Sequence, residues 1–143
     1  MNSKSRLKIL IFIVAYNHES CIESVLDRIP DEIWDQLHYE TKVLIIDDAS
    51  MDKTTIMTIL YKINKDKTNL VILQNPVNQG YGGNQKIGYH YAIENDFDIV
   101  VLLHGDGQYA PEYILELIKP IIEDRADAVF GSRMLNKRDA LKG

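Results

Sequence analysis

Ile99-Val100-Val101-Leu102-Leu103-His104-Gly105-Asp106-Gly107-Gln108 is an unbroken apolar run that ends abruptly in an imidazole, two glycines and a carboxylate. Five consecutive Ile, Val and Leu residues suit a strand buried on both faces. Working outward, residues 7–14, 42–46, 70–73 and 128–130 are short runs of the same kind, which makes five predicted strands. Between them residues 20–29, 52–63, 82–94 and 111–123 have helical character. Ile22, Val25, Leu26 and Ile29 mark one apolar stripe, and Ile56, Ile59, Leu60 and Ile63 another. Pro111 stands near a first turn, where its missing N–H costs nothing, and Pro30 starts a short helix over 31–37.

Strands alternating with helices predict a three-layer α/β/α architecture with a mostly parallel sheet and right-handed crossovers. Such sheets bind ligands outside the carboxyl ends of their strands, where strand order reverses. After the first run comes Ala15-Tyr16-Asn17-His18-Glu19, and after the second Asp47-Asp48-Ala49-Ser50-Met51-Asp52. His104 to Gln108 follow the fourth, and Gly131-Ser132-Arg133 the fifth. Polar and acidic residues thus crowd one edge of the sheet, a segregation that packing does not explain.

With 143 residues, 45% apolar and 26% charged, the chain has the composition of one globular domain. Domains of this size bury roughly 68–70% of the unfolded surface, so no disulfide or structural metal is required. The lone Cys21 reads as a small hydrophobe beside Ile22 and Val25 rather than a nucleophile. A net charge of −5 argues against a nucleic-acid surface. Arg133, Lys137, Arg138 and Lys142 form a local basic tail, read as solvated. No run reaches the eighteen or so apolar residues of a membrane span, which sets a cytoplasmic expectation.

Single motifs have ordinary readings. Ser50 and Asp52 fit a role in capping the helix that follows. Asp47 and Asp48, adjacent at the end of a buried strand, repel each other unless a cation, a ligand or hydrogen-bond donors engage them. His104 and Asp106, two residues apart in extended backbone, share a face, and Asp106 has the hard oxygen of a Mg²⁺ or Mn²⁺ ligand; Asp106-Gly107 is equally a common turn pair. Asn78-Gln79-Gly80-Tyr81-Gly82-Gly83-Asn84 resembles a phosphate-cradling loop but fits neither the dinucleotide nor the P-loop pattern, and reads rather as a tight helix start. Gly88 reads as helix packing.

Taken in order, the segments 15–19, 47–54, 78–82, 104–112 and 131–133 resemble the motif series of the large inverting glycosyltransferase family with the GT-A fold, which includes dolichyl-phosphate mannose synthases and related polyprenyl-phosphate glycosyltransferases. The resemblance implies that Ala15, Tyr16 and Glu19 line a base and ribose pocket and that Asp47 or Asp48 holds the nucleoside. Asn17 and Gly80 are counted with this nucleotide-sugar-binding set. It further implies that Asp106 and Gln108, with His104, bind Mg²⁺ or Mn²⁺ on the diphosphate, and that Arg133 meets phosphate oxygens with its planar fork.

Two departures stand out. His104 occupies a place where the family commonly has Asp, which favours Mn²⁺ or leaves the metal to Asp106 alone. Ala15 stands where many members have Pro. Members usually continue well beyond the Gly-Ser-Arg segment, so the chain is expected to be one donor-binding domain, truncated on its acceptor side, with the full-length protein membrane-associated.

The expected reaction is transfer, with inversion, from a nucleoside-diphosphate sugar to a polyprenyl phosphate at the membrane surface. The catalytic base is not identified. A binding module without turnover and a transferase acting on a saccharide hydroxyl are the alternatives. A nucleotidyltransferase would need a glycine-rich loop with a basic residue after the first strand, and Tyr16 to Glu19 supply neither.

Overall fold

Four of the five apolar runs become strands in the computed structural model, which describes residues 6–132. They are β1 (Lys8–Ala15), β2 (Glu40–Asp47), β3 (Leu70–Gln74) and β4 (Ile99–His104). All pair in parallel, in the order β3-β2-β1-β4. The helices are α1 (Ile22–Asp27), α2 (Asp31–Trp34), α3 (Thr54–Asn64), α4 (Gly80–Glu94) and α5 (Ile114–Ile122), the last preceded by a 3₁₀ turn, Pro111–Tyr113. The chain divides into two units, Met1–Glu112 and Tyr113–Gly143. The sheet and α1 to α4 lie in the first. In the second, α5 buries Ile114 and Ile118, one turn apart.

From β1 the chain steps outward to β2 and β3, then returns past both to place β4 on the other side of β1. Right-handed crossovers therefore put α1 to α3 on one face and α4 on the other, and the order reverses between β1 and β4. The side chains obey this division. Leu10, Phe12, Val14, Leu44 and Ile46 form one cluster with Ile87, Tyr91 and Ala92 of α4. Ile9, Ile11, Ile13, Val43 and Ile45, pointing to the other face, are equally inaccessible. Burial on both faces explains why the runs are continuous rather than alternating.

Gly88 of α4 is a packing glycine, as expected. A Cβ built on it would lie 2.1 Å from Cε1 of Phe12. Helix α4 starts two residues earlier than predicted because two side chains receive its first amides: Asn78 Oδ1 accepts from Gly80 N–H at 2.9 Å, and Asp48 Oδ1 from Gln79 N–H at 2.8 Å. Helix α2 stops short of residue 37 because Gln36 turns left-handed, with φ 53°. Residues 128–130 form no strand, and Phe130 is 90% exposed. Among the described residues no strand pairs with them, and an apolar run without a hydrogen-bonding neighbour forms no ladder.

Helix α3 corrects the stripe. Its buried residues are Thr54, Thr58 and Tyr61, while Ile56, Ile59, Leu60 and Ile63 lie on the opposite side and are exposed. Tyr61 sets the inward face by donating its hydroxyl to Asp27 Oδ1 at 3.0 Å, and Thr58 satisfies its own hydroxyl on the Thr54 carbonyl. Ile63, 68% exposed, is thus expected to tolerate lysine: thermal melts of Ile63→Lys should show a change within about 0.5 kcal/mol. A loss of several kcal/mol would place the isoleucine stripe in a core after all.

Candidate functional site

The loops after β1 and β2 are tied to each other by side chains. Asn17, left-handed at φ 55°, donates its amide to Ser50 Oγ at 2.8 Å and accepts from Met51 N–H at 2.9 Å. His18 N–H reaches Thr54 Oγ1 at 2.7 Å. Glu19 accepts from Lys53 N–H at 2.8 Å, and its own amide donates to Asp52 Oδ2 at 3.1 Å. Asp52 also takes the amide of Thr54, the first residue of α3, at 2.9 Å, but the N-cap position falls to Lys53 without a side-chain cap, so neither Ser50 nor Asp52 is the cap read from sequence. Asn17 and Glu19 are therefore occupied in joining two loops.

Strand alternation separates the two adjacent carboxylates. Strand β2 runs through Asp47, so Asp47 points to the face of Val43 and Ile45 and Asp48 to the opposite one. Asp47 is fully buried. It accepts hydrogen bonds from the Ser50 amide and hydroxyl, the Thr55 hydroxyl and Gln74 Nε2. Asp48 sits on the α4 side, where its Oδ1 accepts from Asn75 Nδ2 at 2.7 Å and from Gln79 N–H. Its partners leave it in the wall of a cleft.

That cleft, about 320 Å³, opens where strand order reverses. Val14, Ala15, Tyr16 and His18 line it from the β1 end, Asp48 from the β2 end and His104 from the β4 end. Asn78, Gly80, Tyr81 and Asn84 close it from the start of α4. Strand register delivers these residues together, since Ala15 pairs with Asp47 and Val14 with His104. Gly105 keeps the wall thin. A Cβ there would meet His18 Nδ1 at 2.6 Å and the Val14 carbonyl at 3.2 Å. Cys21, at the start of α1, turns its thiol to the Gly105 carbonyl at 3.3 Å.

His104 stands between two tyrosine rings, with centroids 5.0 Å from Tyr81 and 4.4 Å from Tyr109. Its Nε2 lies 2.8 Å from the Tyr81 hydroxyl, which also accepts from Gln85 Nε2 at 2.7 Å. Burial pushes the imidazole below its ordinary value; Asp106 pulls it up and His18 pushes it down again. Burial, with Tyr109 and Tyr89, raises the Tyr81 phenol against the opposing hydrogen bond from Gln85. At neutral pH this is an uncharged pair.

Asp106 follows in a turn whose geometry depends on Gly107, left-handed at φ 76°. Its Oδ1 accepts from Gln108 N–H at 2.9 Å. Arg28 secures the turn, reaching the Gly107 carbonyl at 3.2 Å and both carboxylate oxygens of Glu112 at 3.1 Å. Among the described residues no three His, Cys, Asp or Glu side chains converge on one point. A cation here would take a hard carboxylate oxygen from Asp106 and draw the rest of its shell from an incoming ligand, which suits Mg²⁺ or Mn²⁺.

The cleft thus gathers Ala15, Tyr16, Asp48, Gly80 and His104 of the predicted site residues. Asn17, Glu19 and Asp47 are engaged elsewhere, and Asp106 and Gln108 form the turn after β4. Arg133 and the basic residues that follow it lie outside the described residues. Val14, His18, Asn78, Tyr81 and Asn84 also line the cleft without having been assigned from sequence. For His18, Asn78, Tyr81 and Asn84 the signal was present, since each lies inside a motif already singled out.

Three comparisons bear on this site. The family described as glycosyl transferase family 2 matches residues 10–142. Among curated proteins, the UDP-N-acetylglucosamine–dolichyl-phosphate N-acetylglucosaminyltransferase of Methanococcus voltae is 33% identical over 92% of this chain and 54% of its own length. The undecaprenyl-phosphate mannosyltransferase of Micrococcus luteus is 28% identical over 89% of this chain and 49% of its own. The chain spans about half the length of these relatives.

Among solved structures, the mannosyltransferase PcManGT of Pyrobaculum calidifontis, in complex with GDP-Man and Mn²⁺, superposes with a TM-score of 0.62 at 20% identity, over 78% of this chain and 31% of that one. Glucosyl-3-phosphoglycerate synthase of Mycobacterium tuberculosis, with Mn²⁺, UDP and phosphoglyceric acid, gives 0.58 at 22%, over 81% and 39%. These likenesses establish the GT-A fold. Among the described residues no helix is long and apolar enough to cross a membrane.

Proposed function

We propose, from the premise that this chain belongs to glycosyl transferase family 2, that its cleft binds a nucleoside-diphosphate sugar together with Mg²⁺ or Mn²⁺, for transfer of the sugar with inversion to a polyprenyl phosphate. The observation that carries this reading is the cleft at the β1–β4 reversal, with Asp48 in its wall and no lysine or arginine among its described lining residues. An anionic ligand entering beside Asp48 needs a countercharge that these side chains do not supply. Asp106, at the end of β4, is the residue to hold it, with Gln108 fixing its carboxylate. When bound, the cation neutralises charge on the diphosphate.

Ala15 and Tyr16 offer an apolar wall to the base, and Asp48 an acceptor to its N–H groups or to ribose hydroxyls. Arg133 is proposed to meet phosphate oxygens. In the transfer, an acceptor oxygen attacks the anomeric carbon in line; its bond to that carbon forms as the bond to the diphosphate oxygen breaks, and the nucleoside diphosphate departs. The names of the relatives support a lipid-phosphate acceptor. A phosphate oxygen is already anionic, so no general base is required, whereas a saccharide hydroxyl would need one.

The test is transfer of radiolabelled sugar from UDP- and GDP-linked donors to a polyprenyl phosphate, in Mn²⁺, with Asp48→Asn beside wild type. The donor should bind wild type, with slow transfer at most from a chain that spans about half the length of its relatives, and Asp48→Asn should weaken donor binding roughly tenfold or more, the worth of a charged hydrogen bond, while the melting temperature hardly changes. Failure of wild type to bind either donor in Mn²⁺ would refute the nucleotide-sugar reading. Unchanged donor affinity in the variant would refute the role of Asp48.

A further inference from the structure

The floor of the cleft holds a polar atom that nothing in the described chain engages. Asn84, in the second turn of α4, is 1% exposed and lines the cleft. Its Nδ2 donates to the Ile46 carbonyl at 2.9 Å. That contact settles which way the amide faces, because the flipped side chain would set two acceptors against each other. Oδ1 is then buried without a hydrogen-bond partner, the sole such side-chain atom among the described residues.

Packing does not call for an amide here. Asn84, Gly88 and Ala92 are the buried residues of α4, spaced four apart on one face, and the other two are as small as residues can be. A buried acceptor left unsatisfied is costly to the fold, and buried amides normally find partners. The polarity of the surroundings limits what the partner can be. Asp48, in the same wall, is another acceptor, and no lysine or arginine lines the described cleft. Phosphate groups, which only accept, do not complement such a floor. A group bearing N–H or O–H does.

We infer that Asn84 is a specificity residue of this cleft, its Oδ1 accepting a hydrogen bond from an N–H of the nucleobase or an O–H of the ribose. The inference rests on the reading of the cleft as a nucleotide site. It separates the cleft into two parts by chemistry: a floor of acceptors, Asp48 and Asn84, for the nucleoside, and the Asp106 turn for the charged diphosphate.

The experiment is calorimetry in Mn²⁺ with UDP and GDP, then with the 2′-deoxy form of whichever binds more tightly, on wild type and Asn84→Ala. Asn84→Ala should bind about five- to tenfold more weakly, the net worth of one hydrogen bond, while its melting temperature changes little, because removal of the unsatisfied acceptor offsets loss of the bond to the Ile46 carbonyl. If the partner is the 2′-hydroxyl, the deoxy nucleotide loses the same factor on wild type and nothing further on the variant; if it is a base N–H, the variant loses equally on both. Asn84→Ser, which keeps a donor for Ile46 but no carbonyl, should repeat the loss if the alanine variant folds poorly. Wild-type affinity in both variants, with melting temperatures several degrees lower, would make Asn84 a structural strap between α4 and β2 and overturn the inference. Failure of wild type to bind either nucleotide would instead overturn the nucleotide reading itself, and this inference with it.

Discussion

Nucleoside diphosphate binding to this chain is expected to fall by about 100-fold or more when Mn²⁺ is replaced by a chelator, and by a similar factor in Mn²⁺ when Asp106 is replaced by asparagine. The reason is charge. A diphosphate brought beside Asp48 without a cation sets like charges together, which costs several kcal/mol, and roughly 3 kcal/mol is already about 100-fold in affinity. Asparagine is the informative substitution because its carbonyl can still accept from Gln108 N–H, the bond that Asp106 Oδ1 makes at 2.9 Å. The turn is kept while the charge and the hard ligand are lost. Calorimetric titration of UDP and GDP against wild type and Asp106→Asn, each with Mn²⁺ and with chelator, gives the four affinities required. Equal affinity in all four conditions would remove the metal from the site.

The largest loss of stability is expected at Gly88. In Gly88→Ala the new methyl would stand 2.1 Å from Cε1, 2.2 Å from Cζ and 2.6 Å from Cδ1 of Phe12. Phe12 cannot step aside easily, being fully buried in β1 and set edge-on to Tyr89 at 6.4 Å. Overpacking of this kind costs about 3 kcal/mol at its upper range, a fall of roughly 10 °C for a chain of this size. Gly82 is the control on the same helix. A Cβ there meets nothing within 4 Å, so Gly82→Ala should hold or gain stability through helix propensity. Phe12→Leu combined with Gly88→Ala should be less destabilised than the sum of the two, since one relieves the crowding of the other. Thermal melts of the four variants check this, and a wild-type melting temperature for Gly88→Ala would show that helix α4 does not press on the sheet there.

Much of the fold was legible because its signals are local. Continuous apolar runs mark four strands, and Gly88 reads as packing from its place in a helical stretch, the role its approach to Phe12 gives it. The fifth run, 128–130, failed because apolarity alone does not supply a pairing partner. The stripe on α3 was also seen, but periodicity shows only that a helix has two faces. Which one turns inward was settled by Tyr61 reaching Asp27 from 34 residues away.

By itself the sequence determined that the chain is a parallel α/β domain whose polar residues gather at the carboxyl ends of its strands, because strand and turn preferences are written within a few residues of each position. Only the tertiary structure decided the division of labour at that edge. It sent Asp47 into a buried ring of donors and Asp48 into the cleft, because β2 runs one residue further than its apolar stretch and side chains alternate along it. Asn17 and Glu19 were drawn into the neighbouring loop, and Asn84 was placed on the cleft floor with an acceptor unspent. The placements of Asp48, Asn17, Glu19 and Asn84 depend on partners brought up from 27 to 38 residues away, and sequence spacing carries no information about where such partners will stand.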